Sequence, residues 1–453
     1  MLRRFRVLAG TLLLLGAAPL PAQGIKVPAT VDTLPNGLRV IVHVDASAPI
    51  VTVNTWFWAG SGSEKPGRTG FAHLFEHLMF MGSEHAPYPQ FDRLLEAAGA
   101  NNNGSTTEDR TNYYEAGPVS ALPLMLWLDA DRMGWLLPTM DAAKVDAQRD
   151  IVKNERRQSY ENQPYGMVAD IMPKLMYPPA HPYSWPVIGS MADLSLASID
   201  DVKEFFRQYY APNNAVITVA GAVTRDAVLA LVRKYFGSIP RGPAIDRPAP
   251  VQPQLAADTA VVLEDRVQLP RLYYNFESVR SGAADDAALQ VAAYVLSGAK
   301  NSRLTQRLVY ADQIASNVNA SPDPRKLAGE FGVVATARPG HALPELQRAI
   351  DEELRKLADQ GPTDREIQQA RNAIEAGFLR RIQTVQGKAD QLNQYYYETG
   401  VADGFQNDLD TFRAVTAADV QRVVARYLLG PRAIVSVVPT GKKELAAQRR
   451  VTP

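Results

Sequence analysis

Cysteine is missing from all 453 positions. That excludes disulfide staples, thiolate metal ligands and a cysteine-linked lipid anchor, so any metal here must be held by histidine and carboxylate. Net charge is missing too: 48 Lys and Arg balance 48 Asp and Glu, and no run of one sign stands out. Nothing in this pattern argues for a nucleic-acid partner or an anionic membrane surface. Histidine is scarce, with six in the chain. What remains is globular composition, 46% hydrophobic and 21% charged, over a length that calls for more than one hydrophobic core.

The N-terminus differs from the rest. A basic "MLRRFR" leads into the apolar "VLAGTLLLLGAAPL" and then the small residues of "PAQG". This is secretory-signal architecture over residues 1–22, with cleavage near Ala22, and its apolar stretch is short for a bilayer span of roughly 20 residues. An uncleaved anchor and, from Arg3 and Arg4, a twin-arginine export signal are the alternatives. The expectation is an exported protein, periplasmic or secreted, with no stable membrane insertion after cleavage.

Two distant stretches carry one pattern. "DDVKEFFRQYYAPNNAVITVAG" (200–221) and "ADVQRVVARYLLGPRAIVSVVP" (418–439) match without gaps, pairing Asp201 with Asp419, Tyr209 with Tyr427 and Ala215 with Ala433. Each reads as an amphipathic helix, a turn marked by proline and a β-branched strand. Upstream, "PIVTVNTWFWAGSGSE" and "PRLYYNFESVRSGAADD" are both strands opened by proline that run into a Gly/Ser turn. The chain is therefore expected to be a duplication, with domains over 25–240 and 255–445. The linker 241–254 contains Pro243, Pro248, Pro250 and Pro253, which cannot continue a helix or a central strand.

The duplication supplies an internal control for "FAHLFEHLMF" (71–80). Setting Gly82 against Gly298 places His73, Glu76 and His77 opposite Leu289, Ala292 and Ala293. The second half keeps the helix without the polar triplet, so the fold does not need those three side chains. Residues four apart share a helical face, which lets His73 and His77 present imidazole nitrogens to one metal ion. Glu76 is placed beside them as a general base for water. A surface ion-pair cluster is the alternative, but Phe71, Leu74, Phe75, Leu78, Met79 and Phe80 leave little solvated face. Unpaired polar groups there would cost several kcal/mol. A third carboxylate ligand is available in "DAQRDIVKNERRQSYEN", where Glu155 follows His77 after 77 intervening residues (78–154).

His-x-x-Glu-His is inverted relative to the common zinc-protease order and is the inverzincin signature. With Glu155 in an Asn-Glu dipeptide, with "AGANNNGSTTEDRTNYYE" (98–115) and with the duplicated halves, the chain resembles the pitrilysin/insulinase family, near its mitochondrial-processing-peptidase branch. The resemblance implies an α+β fold of two homologous domains in a clam-like arrangement, each a mostly antiparallel sheet with helices packed on it. It implies Zn2+ held by His73, His77 and Glu155, with Glu76 activating water. Asn103 and Thr106 would line an extended peptide substrate, Arg303 in "NSRLTQRL" would hold it from the second domain, and Gln148 would stand behind the metal ligands.

Two departures bear on function. The family often has a glutamate seven residues before the third ligand, supporting the ligands from behind, where this chain has the uncharged Gln148. The clamp of single-unit members pairs an arginine with a tyrosine, and at the tyrosine's place "ADQIASNVNAS" offers Ala315 or Ser316. The expected molecule is thus a zinc endopeptidase acting on short or unfolded peptides, the catalytic subunit of a heterodimer with a related chain that lacks the zinc motif. A homodimer is the alternative assembly, and a non-catalytic scaffold or a metal-binding protein without hydrolase activity are the alternative functions. Elsewhere, the alternating strand "RVIVHVD" predicts an outward-facing His43. His85, His181 and His341 read as loop residues, Trp56 and Trp58 as core, and "LNQYYYETG" (392–400) as a segment able to line a peptide channel. The stretch 363–390 reads as a long solvated helix.

Overall fold

The computed structural model describes residues 24–448; the expected signal peptide lies outside the described residues. Two sheets dominate. The first comprises β1 (Ala29–Thr33), β2 (Arg39–Val44), β3 (Ile50–Phe57), β4 (Asn101–Thr106), β5 (Thr111–Pro118) and β6 (Ala215–Gly221), in the spatial order β1-β2-β6-β3-β5-β4. The second comprises β7 (Thr259–Asp265), β8 (Arg271–Ser278), β9 (Ala315–Pro324), β10 (Gly329–Ala337) and β11 (Arg432–Pro439), in the order β7-β11-β8-β10-β9. With β1 set aside the two orders are the same. Each sheet contains one parallel pair, β2 with β6 and β7 with β11, and is otherwise antiparallel. This is a mixed α+β architecture of two related halves, each with its own apolar core. Among the described residues no helix is long and apolar enough to cross a membrane.

The ungapped match has a physical basis. The helices Ile199–Tyr209 and Ala417–Tyr427 both open on a capping box, Ser198 with Asp201 and Thr416 with Asp419. The aspartates that pair in sequence are the residues that satisfy the first backbone N–H groups of each helix. Both helices then feed β-branched strands, β6 and β11, that are buried on both faces, which is why those strands read as continuous apolar runs.

The helices that position the site are α1 (Phe71–Leu78), α2 (Leu122–Trp135), α3 (Ala142–Arg156), α4 (Val168–Met176), α5 (Asp286–Ser297), α6 (Asp364–Arg381) and α7 (Val385–Thr399). In α5 the counterparts of the triplet, Leu289, Ala292 and Ala293, are all buried in the second core. The halves interlock by exchanging helices. From the first half, α4 sets Val168, Met172 and Met176 against Ala433, Val435 and Val437 of β11. From the second half, α7 sets Leu392 and Tyr395 against Ile41, Trp56 and Val216 of the first sheet.

This exchange corrects three expectations. The stretch 363–390 is not one solvated helix, because it breaks between Arg381 and Val385, and α7 is a packing element. Tyr396 and Tyr397 lie against Trp58, and Tyr397 also against Trp56, so the tyrosine run is spent on docking α7. His43 is buried, with Nδ1 2.9 Å from the carbonyl of Pro28. It shares a strand face with Ile41, and that face is covered by a helix from the other half.

Candidate metal centre and base

Helix α1 is short and starts from Gly70 in the left-handed region (φ 89°), with no capping side chain of its own. Its open N–H groups are satisfied from a distance: the buried Glu64 carboxylate accepts from Gly70 N at 3.0 Å and from Ala72 N at 2.7 Å. Burial pushes the Glu64 pKa up to about 8, against the lowering pull of those two N–H donors. On the apolar side Phe71, Ala72, Leu74, Phe75 and Leu78 enter the first core. The face left over carries His73, Glu76 and His77.

Helix α3 brings the third group. Its start is capped by the Asp141 side chain, which accepts from Lys144 N at 2.8 Å, and its last turn holds Glu155 before a wider π-type turn at Arg157–Glu161. Arg156 anchors that end, donating to the Gly189 carbonyl (2.8 Å) and to Asp170 of α4 (3.0 Å). Gly189 lies directly against Gly70, where any Cβ would collide with the Gly70 backbone. The end of α3 is thereby tied to the beginning of α1.

Across this junction Glu155 Oε2 lies 3.7 Å from His73 Nε2 and 3.5 Å from His77 Nε2. The two imidazoles stand edge to face with centroids 4.8 Å apart. One ligand atom from each of the three residues falls within 4.8 Å of the others. Ligand atoms about 2.1 Å from a common tetrahedral centre would be roughly 3.4 Å apart, so the two carboxylate–imidazole spacings suit a metal ion. Burial, followed by the neighbouring His77, lowers the His73 pKa to about 4, which keeps its ring neutral and able to coordinate near neutral pH.

Glu76 stands outside that donor set. Its Oε2 accepts from the Thr106 hydroxyl at 2.6 Å. Burial raises its pKa, with the Thr106 hydrogen bond opposing. Gly104 faces the same carboxylate, and a Cβ there would sit 3.2 Å from Glu76 Oε1, so the strand approaches the base closely because it has no side chain at that point. Asn103, the next residue back, is exposed and turns its Oδ1 to the N–H of Gly104 at 2.8 Å. All three belong to β4, the outermost strand of its sheet, which is paired only with β5. An edge of this kind can accept an extended peptide as an added strand.

The remaining expected residues are placed elsewhere. Gln148 is buried and points Nε2 at the Met81 sulfur (3.0 Å), so it does not back a ligand. His73 Nδ1 is buried without a hydrogen-bond partner among the described residues. Arg303 is engaged inside the second half: Nε and Nη2 pair with Glu366 of α6 (2.7 and 2.9 Å), and Nη2 also donates to the Gly361 carbonyl (2.9 Å). Its guanidinium holds the helix cap together there, with no hydrogen bond from it reaching the described residues of the first half. Ala315 is buried at the start of β9, and the Ser316 hydroxyl donates to the Thr336 carbonyl. His85 pairs with Asp131, His341 with Glu345 in the first turn of the helix that follows it, and His181 is buried against Tyr177. Glu64 and the β4–β5 turn were not anticipated from sequence: Glu64 holds backbone N–H groups, and the partners of the turn include Arg325 and Tyr397, more than 200 residues away in the chain.

Two family models match the chain. Residues 39–179 fit "Insulinase (Peptidase family M16)" and residues 197–374 fit "Peptidase M16 inactive domain". The chain belongs to the insulinase family, peptidase family M16. Among its relatives is the zinc protease PqqE of Helicobacter pylori, 28% identical, with 94% of this chain and 96% of that protein covered. The probable mitochondrial-processing peptidase subunit beta of Arabidopsis thaliana is 26% identical over 90% of this chain and 78% of that protein. A crystal structure of a protease from Helicobacter pylori superposes with a TM-score of 0.86 at 26% identity, over 92% of this chain and all of that one. A peptidase M16 inactive domain from Pseudomonas fluorescens shares the fold at a TM-score of 0.82 and 18% identity, over 94% of this chain and all of that one. The insulinase-family model covers His73, Glu76, His77 and Glu155, whereas the inactive-domain model includes α5, where the triplet is absent.

Proposed function

We propose that this M16-family peptidase is an exported zinc endopeptidase that cleaves short or unfolded peptides. The observation that carries the reading is the placement of Glu76, beside the three metal-binding groups but outside them, with its carboxylate fixed by Thr106 of an open-edged strand. Zinc held by His73, His77 and Glu155 would supply a Lewis acid that polarises the scissile carbonyl. The chain's own residues do the rest. The edge of β4 aligns the peptide in extended form, and Gly104 lets its backbone come close. Glu76 takes a proton from the attacking water on Oε1, while Thr106 holds Oε2, and returns it to the leaving amine.

We further infer that the chain works with a related partner. The arginine expected to clamp substrate is bound to Glu366, and Ala315 or Ser316 stands at the tyrosine's expected place, which supports a second half with no clamp of its own. One relative is named as a subunit, subunit beta, of a mitochondrial-processing peptidase, which supports a chain that works with a partner. The test combines zinc content with cleavage of a quenched peptide, for the chain alone and mixed with a related chain that carries an arginine–tyrosine pair but no His-x-x-Glu-His. The chain alone should bind zinc and cleave poorly, and the partner should raise the rate about 100-fold, the scale of loss expected when a substrate is imperfectly placed. Equal rates with and without the partner would remove the heterodimer and leave the homodimer. Absence of zinc would favour the scaffold.

Glu155→Ala tests the ligand set apart from catalysis. Loss of a direct ligand should weaken zinc binding by more than the roughly 10–100-fold that loss of an outer-shell partner costs, measured by competition with a chromogenic chelator. Unchanged affinity would mean that another carboxylate takes that place.

A further inference from the structure

The hairpin that carries Thr106 turns at residues 107–110, and that turn is gripped by the second half of the chain. From the second half, the backbone N–H of Lys326 donates to the Asp109 carboxylate at 2.9 Å, which also accepts from the hydroxyl of Tyr183 in the first half. Tyr397 of α7 donates its hydroxyl to the Asp109 carbonyl at 3.2 Å, and Arg325 pairs with Glu108 at 3.1 Å. Arg325 and Lys326 form the turn between β9 and β10, so two separate elements of the second half converge on one turn of the first.

From that turn two routes lead to α1. One is the strand itself, through Thr106 to Glu76. The other runs through the carbonyls of Thr107 and Glu108, which accept from the N–H groups of Ser61 (3.1 Å) and Gly62 (2.7 Å), in the segment that continues to Glu64. Glu64 in turn holds the first N–H groups of α1. A turn at the tip of an edge hairpin has only one strand neighbour to restrain it, and such segments sit at the low end of local stability. The contacts from the second half remove that freedom.

We propose that Asp109 is a positioning residue through which the second half fixes the Thr106 hydroxyl, and with it the Glu76 carboxylate, for catalysis. This rests on the reading of Glu76 as the base. The second half thereby contributes to the reaction without touching substrate or metal.

The experiment is a double-mutant cycle, in whichever preparation, chain alone or with partner, cleaves the reporter peptide. Asp109→Ala should lower kcat about 10-fold or more with zinc content unchanged, since small misplacements of catalytic groups carry penalties of this order. Asp109→Asn keeps an acceptor for the Lys326 N–H and should recover most of that loss. In a Thr106→Val background Asp109→Ala should cost clearly less than in the wild type, because the Thr106 route is already cut and only the route through Ser61, Gly62 and Glu64 is left for it to act on. An unchanged kcat in Asp109→Ala, or losses that multiply in the double variant, would overturn the proposal. If Asp109→Ala does not fold, Tyr397→Phe, which removes one hydroxyl, decides by the same cycle. A wild-type chain that cleaves nothing in any preparation defeats the peptidase reading itself, whereas an active wild type with multiplying losses defeats only the positioning role.

Discussion

Glu76→Gln leaves zinc bound and lowers peptide cleavage by roughly 10²- to 10⁴-fold. Retention of the metal is the outcome that the geometry favours: the group that could hold an ion is His73, His77 and Glu155, and Glu76 is not part of it. The amide matches the carboxylate in size and can still accept the Thr106 hydroxyl, so the local packing survives. What the amide cannot do is take a proton from water and pass it to the leaving amine. The raised pKa of Glu76, caused by burial and moderated by Thr106, makes the native carboxylate a better proton acceptor than an exposed one. Metal content by atomic absorption and turnover of a quenched peptide, measured on the same sample, check both halves of the expectation. Loss of zinc in this variant would make Glu76 a ligand, and unchanged turnover would place the base elsewhere.

Arg132→Leu should cost about 3–5 kcal/mol of stability, the range for removing one partner of a buried ion cluster. Arg132 is 2% exposed and lies on α2. Its guanidinium pairs with Glu115 of β5 at 2.6 Å and with Asp129, and it stacks against Phe91 and Tyr113. Asp129 also accepts from the Thr55 hydroxyl at 2.6 Å. Burial, and then the adjacent Asp129 carboxylate, push Glu115 well above the usual carboxylate range, while Arg132 pulls the other way. Without the arginine, two carboxylates face each other in an apolar core. For a half of this size the loss corresponds to a fall in melting temperature on the order of 10 °C, read in the transition of the first half by calorimetry. Replacing Glu115 and Asp129 by leucine in the same chain should restore much of it, because a buried cluster exchanged whole for apolar residues is often neutral. A melting temperature unchanged in the single variant would mean that Glu115 and Asp129 do not depend on the guanidinium.

The sequence by itself determined what local periodicity and spacing can encode. His73 and His77 share a helical face because they are four apart. The duplication was visible because Asp201 and Asp419 are the same capping residue in two copies of one unit. That copy also showed the polar triplet to be dispensable for folding, and the absence of cysteine confined any metal to histidine and carboxylate ligands. Glu155 was reached through spacing and resemblance, and its approach to the imidazoles depends on Arg156, Gly189 and Gly70 meeting at one point.

Only the tertiary structure decided which surface covers which. The alternation around His43 is that of a half-exposed strand, yet the second half supplies α7 to bury that face. Arg303 looks free to meet a substrate until α6 brings Glu366 against it. The turn at 107–110 is a short polar stretch, yet Lys326 and Tyr397, more than 200 residues away, hold it in place. Periodicity records that an element has an apolar or a polar face, because that depends on backbone geometry over a few residues. The identity of the partner depends on chain closure across hundreds of residues and on backbone donors and acceptors that every residue carries, so it leaves no trace in the order of side chains.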